Sequence, residues 1–358
     1  PSLQPSNSGS PSLLPSESSQ PSSQPSSQPS SQPSLQPLDS GSNDIYGNGG
    51  DGKCALMYFT TYCLFEKLMY FVYILNLDIL IGGGGDDYLE GNTGSDLAIG
   101  DCAEIFFYDA ALSFIIKSIT STSPGIGGVD TIVMSDGNDT VIGGQSGDFI
   151  NSTSGYNLLV GDNAEILYFP SSLPSLSENE TGYFWSAPRS IETINCEFGG
   201  DDVIVGGEGN ETLDIVIGGA LNDEVDVQDG SDLVLGDHGK VFLYESPAYK
   251  LFNVTTTHAT CSPGEDRLYL GDGDNIAFGG GLGDTIRAGA GQDIILGDFG
   301  LFQDNVEQSW DVIEVIDCEH GGDDTIQGGN GTNIIVGGAF DDEVDVQDGS
   351  DLVLGDHG

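Results

Sequence analysis

Through most of this chain, an apolar residue recurs at every ninth position among glycines and acids. In residues 264–300, Leu268, Ala277, Ile286 and Ile295 each stand two places after Asp266, Asn275, Asp284 or Asp293. The five places before each of these four polar residues are mostly Gly, Asp and Asn. Nine residues is too long for a heptad and too short for a pair of helices. It suits a six-residue loop followed by a three-residue strand whose middle side chain points inward. The acid then takes place six and the apolar residue place eight, which predicts short strands stacked in a solenoid.

The same pattern returns in five arrays. The first holds Asp87 and Asp96, the second Asp130, Asp139, Asp148 and Asn157. The third holds Asp202, Asp214, Asp223 and Asp232, with three extra residues inside Gly206–Glu211. The fourth is the stretch above, and the fifth holds Asp324, Asn333, Asp342 and Asp351. Disordered Gly/Asp tracts have no need of Ile, Val or Leu at place eight. Gly279-Gly280-Gly281-Leu282-Gly283-Asp284-Thr285-Ile286-Arg287 closely resembles the G-G-x-G-x-D-x-U-x frame (U apolar) of the RTX calcium-binding repeat.

That resemblance implies an all-β fold, a parallel β-roll with two nonapeptides per turn, and Ca²⁺ held between turns by the place-six residues named above. Asn157, Asn275 and Asn333 keep an oxygen but lose a charge, so their sites are expected to be weaker. Short arrays imply few complete sites per array, with affinities of about 0.1–1 mM.

Charge makes an independent demand for such ions. The chain has 57 acidic against 8 basic residues, a formal charge of −49, which argues against nucleic acid and anionic membranes as partners. Carboxylates on successive turns, about 4.8 Å apart, repel by about 3 kcal/mol at an effective dielectric near 20. Burying one Ile or Val returns about 1.5–3 kcal/mol. Ordering glycine-rich loops then tips the sum against folding. A bound cation reverses the sign, so metal binding is expected to be folding free energy.

Residues 1–40 are of low complexity, with Ser-Gln-Pro-Ser repeated at period four from Ser19 to Ser34, and read as an extended stalk or linker. Module 1 covers 41–108 and is interrupted at 52–77 by an apolar stretch; deleting that stretch restores the repeat phase. The insert reads as a translated intron, a looped-out cover for the solenoid or, less well given Glu66 and Lys67 mid-span, a membrane helix. Modules 2 to 5 follow at 109–169, 170–244, 245–302 and 303–358. Asn222–Gly239 returns nearly unchanged as Asp341–Gly358, so the chain stops on a repeat boundary and the full protein is expected to be longer.

After each of the first four arrays a repeat opens Gly-Asp (at Asp101, Asp162, Asp237 and Asp298), and its place six turns apolar, which should end the calcium ladder there. The aromatic strands that follow, such as Glu104–Tyr108 and Glu165–Phe169, read as end caps or inter-module packing.

Six cysteines without a Cys-x-x-Cys or paired-His pattern argue against zinc and for disulfides between linkers, of undetermined connectivity. Asn179 and Asn253 lie in linkers as glycan acceptors. No HExxH, GxSxG or Walker loop occurs, and Gly47–Gly52 spells GxGxxG outside any βαβ pattern, so no enzyme is expected. The expected protein is secreted or on the cell surface: a calcium-dependent spacer, filament or matrix component, with self-assembly, matrix proteins or glycans as partners. The alternatives are a calcium-folded secretion module of a larger toxin or hydrolase, and an adhesive or ice-binding surface.

Overall fold

The computed structural model describes residues 78–108, 116–169, 187–207, 213–245, 250–257, 261–304 and 311–356, with the backbone strands Ile45–Gly47 and Leu56–Tyr58. The stalk, and the insert apart from Leu56–Tyr58, lie outside them. Among the described residues every regular element is a strand, and no helix is long and apolar enough to cross a membrane.

The chain winds as a β-roll, each nonapeptide giving one short strand and alternate strands going to opposite sheets. The first sheet has eleven parallel strands, running from Ile45–Gly47 through Leu158–Asp162 and Ile294–Asp298 to Leu352–Asp356. The second has nine parallel strands, from Tyr88–Glu90 through Phe149–Asn151 to Glu343–Asp345. Neighbouring strands pair with identical places opposite each other, as in Leu159 with Val216 and Ile150 with Ile204. Place-eight side chains from both sheets therefore meet between them: Val141, Leu159, Val216 and Ile295 from the first, Ile132, Ile150, Ile204 and Leu268 from the second.

The outer faces differ. Second-sheet strands show solvent their flanking places, as in exposed Phe149 and half-buried Asn151. First-sheet strands from Ile79–Ile81 to Leu233–Asp237 are buried at all three places, as in Leu158-Leu159-Val160, and Ile276, Ile294 and Ile334 farther along are half-buried. What covers them is a third sheet of nine strands, antiparallel in all but the pairing of Leu56–Tyr58. It is built from excursions, each leaving the roll and returning: Ala103–Phe107 with Ile116–Ser121, Ala164–Tyr168 with Pro188–Thr193, Gly239–Leu243 with Leu251–Thr256, and Gly300–Gln303 with Val312–Val315. Ile105, Ile119, Ile166, Ile191, Val241 and Val254 point from it onto Leu97, Ile142, Val160, Ile217 and Leu235 of the first sheet. The aromatic strands are thus packing elements along one side, not caps at array ends.

Cys196 and Cys261, on the return paths of successive excursions, form a disulfide, while Cys318 is a free, half-buried thiol. Ile204→Ala should cost about 2–5 kcal/mol in urea melts with calcium present. The outward Val203→Ala should stay within about 0.5 kcal/mol, and equal losses would show the facing to be wrong.

Candidate functional site

Parallel stacking puts place-six residues into two columns, one before each roll sheet. In both columns the side-chain Oδ1 accepts the backbone N–H of the place-six residue one turn earlier. The column before the second sheet is all aspartate: Asp87, Asp130, Asp148, Asp202, Asp223, Asp266, Asp284, Asp324 and Asp342. Its links run from 2.6 Å (Asp148 N–H to Asp202) to 3.1 Å (Asp324 N–H to Asp342). The other column is mixed: Asp78, Asp96, Asp139, Asn157, Asp214, Asp232, Asn275, Asp293, Asn333 and Asp351, linked at 2.7–3.1 Å. Every place-six residue expected from the sequence lies in one of the two. Asp78, at the far edge of the insert, joins them.

The ladders do not end at the excursions. Asp87 N–H donates to Asp130 across the first excursion and Asp223 N–H to Asp266 across the third. Each excursion is an insertion within one loop. The chain leaves after Gly100-Asp101, makes two strands, and returns through Gly127-Gly128 to supply Asp130. The apolar residue at the nominal place six, Ile105, belongs to the third sheet.

The departure-point acids close each loop at its base. Asp162 accepts Gly200 N–H at 3.1 Å and Ala220 N–H at 2.5 Å; Asp237 accepts Gly264 N–H at 3.0 Å and Gly281 N–H at 2.6 Å. Asp298 likewise holds Gly322 and Ala339, and Asp101 accepts Gln145 N–H at 2.6 Å. Sequence reading marked these acids only as boundaries. The signal was their pairing with a returning Gly-Gly or similar turn.

The second carboxylate oxygen lacks a donor along the uniform column and at Asp96, Asp232 and Asp293 of the mixed one. In the all-aspartate column, Oδ2 of Asp87, Asp130, Asp148, Asp202, Asp223, Asp266, Asp284 and Asp324 is buried with no hydrogen-bond donor. Place one of these loops is glycine throughout, with Gly100, Gly161, Gly236 and Gly297 taking it where an excursion intervenes, and a methyl there would strike two oxygens at once. On Gly143 it would lie 2.2 Å from the Gly161 carbonyl oxygen and 2.4 Å from Asp148 Oδ2. On Gly279 it would lie 2.1 Å from the Gly297 oxygen and 2.3 Å from Asp284 Oδ2. Carboxylate and carbonyl oxygens from successive turns thus crowd one channel without a proton donor among them, an arrangement that fits a hard divalent cation. Among the described residues no three His, Cys, Asp or Glu side chains converge on one point. Each turn offers one carboxylate, and backbone would supply the other oxygens.

The electrostatics agree. Burial, reinforced by Asp202 and Asp130, pushes the Asp148 carboxyl up to about 10. Burial raises Asp130 and Asp324 to about 8, with neighbouring acids adding to it, and carries Asp202, Asp223 and Asp284 well above the usual range. As free carboxylates these groups oppose folding.

A family model, the RTX calcium-binding nonapeptide repeat (4 copies), matches residues 78–101, 124–159, 199–214, 269–300, 320–344 and 327–358. The chain carries RTX calcium-binding nonapeptide repeats. Residues 215–268 fall between the matches, yet Asp223, Asp232 and Asp266 continue the RTX ladders there in the same register. No curated protein matches the chain.

An aspartate such as Asp130, at about 8 folded against 3.8 unfolded, keeps a proton that unfolding releases. Stability without metal is therefore fullest below pH 3.8 and is lost as pH rises through about 8. Chelated protein should melt at a higher temperature near pH 5 than near pH 8; the reverse order would remove carboxylate burial as the governing effect.

Proposed function

We propose that this chain is a secreted structural protein, a β-roll stiffened by Ca²⁺ that serves as an extracellular spacer, filament or matrix component. The observation that carries the reading is the run of eight buried Oδ2 atoms without donors, one per turn, in a column of stacked RTX loops. Proteins that work through a reaction concentrate unusual groups at one place. Here the same carboxylate-and-carbonyl unit is spread evenly along the whole roll, as suits a load-bearing element with many equivalent ions.

The residues that would hold Ca²⁺ are the aspartates of the uniform column with the carbonyls of their place-one glycines. The cation would supply positive charge between carboxylates that otherwise repel. At calcium about ten times Kd, each site would add about 1.4 kcal/mol to the folded state. Calcium at about 1 mM would occupy sites of about 0.1–1 mM affinity from roughly nine-tenths down to half. Outside the cell the Cys196–Cys261 disulfide is stable.

Asp148→Asn tests the reading with two opposite signs. Removing one buried charge should raise the melting temperature in chelator, while the gain on adding calcium should shrink. A variant that loses stability in chelator and keeps the full calcium gain would sink the assignment.

A further inference from the structure

The place-one positions of the mixed column hold quite different residues. Beside Asp96, the space a methyl on Gly91 would enter is occupied by Met134, with Cε at 2.8 Å and Sδ at 3.1 Å. In the loop of Asp232 place one is Val227, and one turn on it is Leu270; Met134, Val227 and Leu270 are wholly buried in the inner core. Core side chains thus stand where the uniform column keeps bare glycine.

Donors are distributed in the same sense. All three asparagines fall in the mixed column. Asn157 Nδ2 donates to Asp214 Oδ1 and Asn275 Nδ2 to Asp293 Oδ1, each at 3.0 Å, and Asn333 Nδ2 donates to the Gly328 carbonyl at 2.7 Å. Gly207 N–H reaches Asp214 Oδ2 at 2.8 Å, and Ser152 Oγ reaches Asp139 Oδ2 at 3.3 Å. Asp96, Asp232 and Asp293 keep an Oδ2 without a donor. The place-one residues of their own and the following turn are Gly91 and Met134, Val227 and Leu270, Ala288 and Gly328; no pair gives the glycine-on-glycine carbonyl channel. The sheet that follows this column is also the one buried on both faces.

We infer that calcium binds along the all-aspartate edge only, and that the asparagine-bearing edge is a metal-independent seam, so that loss of the ions opens the roll from one side. The inference rests on the calcium reading above but departs from the two-edged binding that the repeat resemblance implies. In the opened state the first and third sheets stay packed through their shared core, while the second sheet and its loops exchange with solvent.

Hydrogen exchange with mass readout on the unmodified chain, with calcium and with chelator, tests the one-sided opening. Peptides covering 148–151, 223–226 and 284–287 should lose at least about tenfold protection on chelation, a difference of about 1.4 kcal/mol. Peptides covering 158–162, 233–237 and 241–243 should change by less than about twofold. Equilibrium dialysis of two variants from one array tests the site count: Asp223→Asn should lower the number of bound ions, and Asp232→Asn should leave it unchanged. Equal loss of protection in both sheets, or an ion lost with Asp232→Asn, overturns the one-edge assignment while leaving calcium binding intact. A chain that takes up no calcium overturns both readings.

Discussion

The interaction on which the structure turns is the repulsion between carboxylates held one turn apart by the winding of the backbone. Parallel stacking at identical places offers no freedom to stagger them. An antiparallel arrangement could put acids opposite amides or apolar groups; a roll puts each place six on the next. The Oδ1-to-N–H links relieve half of each carboxylate, and they also align the groups, so the other oxygen is fixed beside its neighbours. Whether that oxygen meets a donor, an apolar plug or a channel for a cation then decides what each edge can do.

The excursions show how a strict repeat tolerates long insertions. Between Asp101 and Asp130 the chain makes two strands of another sheet, yet the ladder resumes in register. Loop closure costs rise only as the logarithm of length, each doubling adding about 0.6 kcal/mol. Two backbone N–H groups held by one carboxylate offset much of that, charge-assisted bonds being worth about 1.5–3 kcal/mol apiece. The disulfide from Cys196 to Cys261 ties neighbouring return paths together and limits how far they can separate.

Much of this was legible in the sequence. The ninefold period fixed the loop-and-strand unit, place six predicted the columns, and place eight predicted the inner core. The eighteen-residue period was there too: Leu158-Leu159-Val160 and Ile294-Ile295-Leu296 are apolar at three successive places, whereas Phe149-Ile150-Asn151 and Thr285-Ile286-Arg287 are not. Alternate repeats therefore announced a sheet covered on both faces and one facing water. Treating each array as closed hid this, because an apolar place six at Ile105 looked like an end. Continuity depends on a partner 43 residues away, Asp130 for Asp87, and no local pattern encodes that distance.

The third sheet also changes the energetic argument drawn from composition. Set against about 3 kcal/mol of repulsion per turn, one buried aliphatic side chain of about 1.5–3 kcal/mol leaves nothing over for ordering the loops. A first-sheet turn buries more than one. Leu158 and Val160 pack outward against the third sheet while Leu159 packs inward, and Ile166 and Ile191 arrive from the excursion to meet them. Those additional groups act on the edge where asparagines have already lowered the charge. On the opposite edge a turn such as Phe149–Asn151 buries Ile150 alone beneath an unbroken run of aspartates. Burial and charge are thus apportioned in opposite directions across the roll, and the marginal edge is the one whose place six is aspartate at every turn.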